Sequence, residues 1–421
     1  MHRHNALDGH FTSMDEMRHA LETGITNADV LAWAETLQGA APPRLRNERL
    51  IDNVRLARSV FKPNAYYGTR LAANQRVLVD VDELGAGDLD LFVTDGEGIP
   101  KNRISDDNTT QRIARARQHG KKVIVFFGGS TIMGTGSRLP ALSIPSLVEQ
   151  ILLIRFQIDT VCINRGILGM TSQDAFNILT AETLSTAPDC VIFYTGWNCV
   201  FNHSAIHALQ QADSSALRSE IYPGMSTRHI EHGILLQNQF NTAAAWKRAL
   251  WLTTNQTLTR IANLFGSQLL RKRINQLLNA DPMVNHALMT EVIEAISTSQ
   301  IDDIAAKSAK DYLRIHSLAN VCCTAENTLF YNFLQPCLSW GDKTVTENEK
   351  NYLLNSPAMG QLHRKFYEQL LSLPKPEYFS DLSQVFEKVN KQTYIDTGHL
   401  NPYGNFLIAE KIASQIAPSL T

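Results

Sequence analysis

No run in this 421-residue chain approaches the roughly 18 consecutive apolar residues of a membrane-spanning helix. The opening residues, MHRHNALDGHFTSMDEM, contain no apolar core of a signal peptide, so the expectation is a soluble, cytoplasmic protein without a membrane partner. Charge of one sign is not in surplus. Thirty-nine Lys and Arg stand against 41 Asp and Glu, a formal balance of −2, which leaves no basic excess to neutralise a phosphate backbone and argues against a nucleic-acid partner. Cysteine is scarce: Cys162, Cys190, Cys199, Cys322, Cys323 and Cys337 form no CxxC pair, which excludes a zinc ribbon or a disulfide scaffold and predicts reduced thiols. The chain has no internal repeat and no low-complexity tract, and so reads as neither collagen-like, coiled-coil nor disordered.

What is present fits one large α/β domain with an insertion, or two to three domains. Residues 1–119 read as a small N-terminal α+β segment. Its apolar spacing is helical from Ser13 to about Leu37, a second helix is expected from Leu45 to Val60, and strands are expected at Gln75–Asp82 and Leu89–Thr94. The pattern then changes. Val123–Phe127, Asp159–Asn164, Cys190–Thr195 and Thr328–Leu334 are short, β-branched and aromatic, as strands buried on both faces of a parallel sheet are. Helical patterns at Ile144–Arg155, Ser172–Leu184 and Asn401–Ile416 alternate with them. This alternation predicts an α/β fold: a doubly wound, flavodoxin-like, mostly parallel sheet with helices on both faces, spanning residues 120–421. A largely helical insertion, about 204–319 and including Ala243–Leu278 and Val284–Ser297, interrupts it. Such an insertion is either a packing subdomain, or a cap or partner surface through which a homo-oligomer or a protein partner would dock.

In doubly wound sheets, ligands sit beyond the C-terminal ends of the strands, so the residues that end each strand are the candidates for chemistry. The first strand ends in Gly128-Gly129-Ser130-Thr131, where Ser130 is either a nucleophile or the cap of a helix. The context is not a G-x-S-x-G elbow, because position 132 is Ile, nor a phosphate loop, because Thr135 follows Gly134. After the second strand comes Asn164-Arg165-Gly166-Ile167-Leu168-Gly169, with Thr171 or Ser172 placed to cap a helix. Gly196-Trp197-Asn198-Cys199 follows the third, where an Asn amide either donates into a pocket or ties the turn. Near the C-terminus, Asp396 and His399 lie three residues apart on one loop, a spacing that allows the carboxylate to bond Nδ1 and leave Nε2 as a base.

Four such loops in this order resemble the SGNH hydrolases of the GDSL esterase and lipase group, over about residues 120–200 and 325–421. Gly-Gly-Ser130 stands for the Gly-Asp-Ser block, Gly169 for the glycine of the second block, Gly196-Trp197-Asn198 for the third, and Asp396-x-x-His399 for the fourth. Two positions depart from the family pattern: Gly129 replaces an Asp, and Cys199 replaces the Asp after Asn198. The resemblance implies a catalytic triad of Ser130, Asp396 and His399, an oxyanion hole of the Ser130 and Gly169 N–H groups with the Asn198 amide, and no cofactor. It also implies a small-molecule or carbohydrate acyl ester as substrate, attacked by a serine esterase or O-deacetylase. The alternatives are an acyltransferase using the same triad and a catalytically silent binding module. A metal site is a further alternative, but His229 and His232 lack the H-E-x-x-H spacing, and His2, His4 and His10 have no placed carboxylate, so no metal is expected.

Overall fold

The computed structural model describes residues 11–36, 44–45, 61–64, 68–80, 88–103, 106–200, 298–355 and 357–421. These belong to the unit formed by Met1–Val200 and Ser299–Thr421, save Thr298, which closes the other unit, Phe201–Thr298. Most of the expected insertion, with the helices read at Ala243–Leu278 and Val284–Ser297, therefore lies outside the described residues, as do His2, His4, His10, His229 and His232.

In chain order the described elements begin with α1 (Met14–Thr23), α2 (Asn27–Thr36), β1 (Arg44–Leu45), β2 (Phe61–Asn64), β3 (Gly68–Leu71), β4 (Arg76–Asp80) and β5 (Leu89–Val93). The helical pattern of residues 13–37 is thus broken in two, because Gly24 ends α1 at φ +84°, a conformation without steric penalty only for glycine. Leu45 lies in a strand, and residues 46–60 of the helix expected there lie outside the described residues.

The second part runs α3 (Thr109–Gln118), β6 (Lys122–Gly128), α4 (Ser130–Met133), α5 (Ile144–Phe156), β7 (Thr160–Asn164), α6 (Ser172–Ile178) and β8 (Cys190–Thr195). After the insertion come α7 (Thr298–Ala325), β9 (Leu329–Leu334), α8 (Glu347–Asn355), α9 (Pro357–Ser372), β10 (Phe379–Asp381) and α10 (Pro402–Leu420). Helix α6 is shorter than the pattern suggests, since the chain passes into a π turn at Leu179–Thr183 and a 3₁₀ turn at Leu184–Thr186.

Strands β6 to β10 make one five-stranded parallel sheet in the order β10-β9-β8-β6-β7, the doubly wound arrangement expected. The alternation along β6 explains why it is central. Ile124 and Phe126 join one hydrophobic cluster, while Val123, Val125 and Phe127 join another on the opposite face. Ile192 and Tyr194 against Val191 and Phe193 repeat the split on β8. A strand with no polar face must be covered on both sides, and each such side chain contributes about 1.5–3 kcal/mol on burial. Helices α5 and α10 cover the first face through Leu147, Ile151, Phe406 and Ile412. Helices α6 and α7 cover the second through Ala175, Ile178, Ala319 and Cys323. Met17, Leu21, Val30, Leu89 and Leu91 of the N-terminal segment also pack in the first cluster.

The five-stranded sheet starts at β6, lays β7 on one side and then crosses to β8 on the other, so the strand order reverses at β6. In such sheets ligands sit beyond the C-terminal ends of the strands where the order reverses, here beyond β6, two residues before Ser130. Among the described residues no helix is long and apolar enough to cross a membrane.

Candidate active site

Strand β6 stops at Gly128, and Ser130 follows as the first residue of the short helix α4, with Gly129 as its N-cap. Ser130 is therefore not a helix cap itself. As the first helical residue its N–H has no acceptor within the helix. Its Oγ, on a residue only 8% exposed, lies 2.5 Å from Nε2 of His399.

The imidazole is held from behind by Asp396. Oδ2 of Asp396 accepts from His399 Nδ1, while Oδ1 accepts the backbone N–H of Gly398 at 2.7 Å and of His399 at 2.6 Å. Placing the Nδ1 proton toward a carboxylate leaves the Nε2 lone pair facing the serine hydroxyl. Burial pushes the Asp396 carboxyl up, but the His399 imidazole and the two backbone donors outweigh it and hold the group below its ordinary value. Asp396 is thus an anion beside the imidazole at neutral pH. The loop that carries both residues is closed by a bridge between Tyr394 and Leu400 and is followed at once by α10, capped by Asn401 at the N–H of Gly404.

Asn198 joins from the loop after β8. Its Nδ2 donates to the carbonyl of Met170 at 3.1 Å, and a Cβ added at Gly129 would lie only 2.3 Å from the same nitrogen. The amide thus occupies the space beside the serine that a side chain at position 129 would need, which accounts for glycine there. Asn198 ties a turn and still keeps one amide hydrogen, since an NH₂ group has two. Gly169, which precedes Met170, takes φ +69°, a conformation that favours glycine. Thr171 caps α6 in a capping box with Asp174. The sequence-predicted residues Ser130, Asp396 and His399 are brought into one hydrogen-bonded chain, and Asn198 is brought against the Gly129 position.

Further residues hold these groups in place. Gln335, at the end of β9, donates from Nε2 to Thr131 Oγ1 at 3.1 Å and to the Gly398 carbonyl at 3.0 Å, joining the neighbour of Ser130 to the neighbour of His399. Glu349 of α8, fully buried, accepts the N–H groups of Thr393 at 3.0 Å and Tyr394 at 3.1 Å, while Lys343 bonds its other oxygen at 2.8 Å. Trp197 stacks on His363 with ring centroids 4.7 Å apart and covers the backbone of Gly398, where an added Cβ would meet the indole Nε1 at 2.8 Å. Cys199 faces Ser172 Oγ at 3.0 Å, inside a buried polar group with Thr195, Tyr312 and His316. Burial pushes the His316 imidazole down to about 3, so it is neutral and acts as a hydrogen-bond partner. Gln335 and Glu349 gave no motif signal, because each acts on a segment distant in sequence, whereas Trp197 and Cys199 stand in the loop already read after the third strand.

Among the described residues no group of three or more His, Cys, Asp and Glu is placed to hold a metal ion. The six cysteines carry free thiols.

The sequence matches no protein-family model, and no curated protein matches it. Solved structures similar to it include the acetyl xylan esterase AlAXEase, at 16% identity and a TM-score of 0.32 over 70% of this chain and 99% of that one. A lipase from a goat rumen metagenome is similar at 10% identity and a TM-score of 0.38, over 72% of this chain and all of that one. The acetylxylan esterase Axe2 of Geobacillus stearothermophilus is similar at 13% identity and a TM-score of 0.31, over 70% and 94%.

Proposed function

We propose that this protein is a serine ester hydrolase of the SGNH type that removes short acyl groups, such as O-acetyl groups of a carbohydrate or small molecule, through an acyl-enzyme at Ser130. The observation that carries this reading is the hydrogen-bonded chain from Ser130 Oγ through the His399 imidazole to the Asp396 carboxylate, formed between residues 269 positions apart. A hydroxyl is a poor nucleophile at neutral pH, and a base within 2.5 Å corrects that.

In this mechanism Ser130 Oγ attacks the acyl carbonyl carbon as its proton moves to His399 Nε2. The imidazolium is stabilised by Asp396, and the negative charge on the former carbonyl oxygen is met by the N–H groups of Ser130 and Gly169 and by the remaining amide hydrogen of Asn198. Collapse of the tetrahedral intermediate breaks the ester C–O bond, and His399 returns its proton to the departing alcohol. A water molecule, deprotonated by His399, then attacks the acyl-serine, and the carboxylic acid leaves as Ser130 regains its proton.

Hydrolysis of p-nitrophenyl acetate by the full chain tests the proposal. Turnover by the wild type and its near abolition in Ser130→Ala and His399→Ala are expected, because nucleophile and base act as a unit. Equal turnover in Ser130→Ala contradicts it. A folded wild type that is inert toward all short esters favours a binding module instead.

A further inference from the structure

Ser130 and His399 are also joined by the loop that follows α4, and that loop is gripped by a carboxylate from the N-terminal segment. The loop starts at the nucleophile: the carbonyl of Ser130 accepts the N–H groups of Gly134 at 3.0 Å and Thr135 at 2.9 Å. It then runs against the histidine loop. Gly136, at φ +84°, approaches so closely that an added Cβ would lie 2.0 Å from the carbonyl oxygen of Leu400 and 3.0 Å from Ile395 Cδ1. Ile395 in turn bonds the carbonyl of His399 through its N–H at 3.0 Å. On its other side the loop meets Asp90 of β5. The Asp90 carboxylate accepts the N–H of Gly136 on Oδ2 at 2.5 Å and that of Arg138 on Oδ1 at 2.8 Å. Asp90 is only 1% exposed.

We propose that Asp90 is a positioning residue of the esterase, whose carboxylate must carry its charge to clamp the Gly134–Arg138 loop against the histidine loop and so keep Ser130 and His399 in register. The inference rests on the ester-hydrolase reading above. It gives the N-terminal segment, which lies outside the four signature loops, a part in the chemistry.

An ionised carboxylate accepts on both oxygens, so both backbone donors are satisfied. A protonated carboxyl carries a hydrogen on one oxygen, which then faces an N–H, and one buried donor loses its partner. Burial pushes Asp90 up, while the Gly136 and Arg138 N–H groups, the Arg138 guanidinium and the His399 imidazole pull it back, leaving it at about 6. The charged groups that face it are Arg138, itself paired with Asp88 at 3.0 Å, and His399. The clamp therefore closes as pH rises through about 6.

The test is the pH dependence of p-nitrophenyl acetate turnover, measured on the full-length wild type and Asp90→Asn, with fluorophosphonate labelling of Ser130 on the same samples. Asparagine keeps the size but offers one acceptor and a clashing NH₂. Misplacement of reacting groups by about 1 Å lowers rates by about 10²-fold, so kcat of Asp90→Asn is expected to fall about 10- to 100-fold with KM changed less than about twofold. Its acid limb is expected to show one ionisation fewer than that of the wild type. A purely structural role would not remove an ionisation. Should Asp90→Asn not fold, Asp90→Ser, with a single hydroxyl acceptor, is read in the same way. An active, labelled wild type beside a variant of equal kcat and unchanged acid limb overturns this inference alone. A folded wild type that neither turns over the ester nor labels at Ser130 overturns the esterase reading and this inference with it.

Discussion

Asn198 donates from Nδ2 to the carbonyl of Met170 at 3.1 Å, so the loop after β8 is fastened to the loop after β7 beside the candidate nucleophile. One hydrogen of the amide is used in this bond and the other is left for the proposed oxyanion. Loss of a single oxyanion donor typically lowers the rate about 10²–10³-fold. Asn198→Ala is expected to reduce kcat for p-nitrophenyl acetate by this factor and to remain measurably more active than Ser130→Ala. Steady-state kinetics on the three proteins check the order.

The space taken by that amide predicts the outcome of placing a side chain at position 129. Gly129→Asp introduces a Cβ 2.3 Å from Asn198 Nδ2, so the amide must move. The substitution is expected to lower kcat about as much as Asn198→Ala. In an Asn198→Ala background it is expected to add little, since the group it displaces is already gone. A double-mutant cycle measures this coupling, and additive losses contradict it.

Gln335 makes a bridge that neither partner can replace. Gln335→Leu keeps the volume but removes the donors to Thr131 Oγ1 and the Gly398 carbonyl, leaving buried acceptors unsatisfied. A cost of about 1–3 kcal/mol in stability is expected from such groups. Turnover is expected to fall about tenfold or more, as small misplacements of reacting groups do. Urea unfolding and kinetics on the same variant read the two effects separately.

Glu349 anchors the start of the histidine loop and carries its own pH signature. Burial pushes its carboxyl up, but Lys343 and the N–H donors of Thr346, Thr393 and Tyr394 outweigh it, and the group sits below its ordinary value of 4.5. A carboxyl depressed in the folded state contributes stability above its unfolded value, and that contribution is lost as pH falls through the folded value. Glu349→Gln leaves the buried Lys343 ammonium without its counter-charge, at a cost of about 3–5 kcal/mol. The gap between wild type and variant is expected to be widest near neutral pH and to close on acidification below 4.5. Unfolding by urea across that range checks both size and sign.

The strands of the sheet and the four loops were legible in the sequence because each is a local pattern. VIVFF, CVIFYT and TLFYNFL are apolar on both faces, and a loop bearing Ser, Asn or Asp-x-x-His sits at a strand end. Strand β10, only Phe-Ser-Asp, is too short and too polar to stand out, and its pairing with β9 is set by the sheet edge. Helices α8 and α9 likewise lay between the recognised blocks. The supporting side chains were illegible for a different reason. Asp90, Gln335 and Glu349 act on the backbone amides or carbonyls of residues about 44 to 63 positions away, and no period or motif links them to those partners.

The most direct test of the central claim is intact-protein and peptide mass spectrometry after treatment of the folded wild type with a fluorophosphonate. A single adduct on Ser130, slowed in His399→Ala and absent in Ser130→Ala, is the predicted result, because only the hydroxyl within reach of the imidazole is activated. A folded protein that takes up no reagent, or takes it up at another residue with Ser130 unmodified, contradicts the claim.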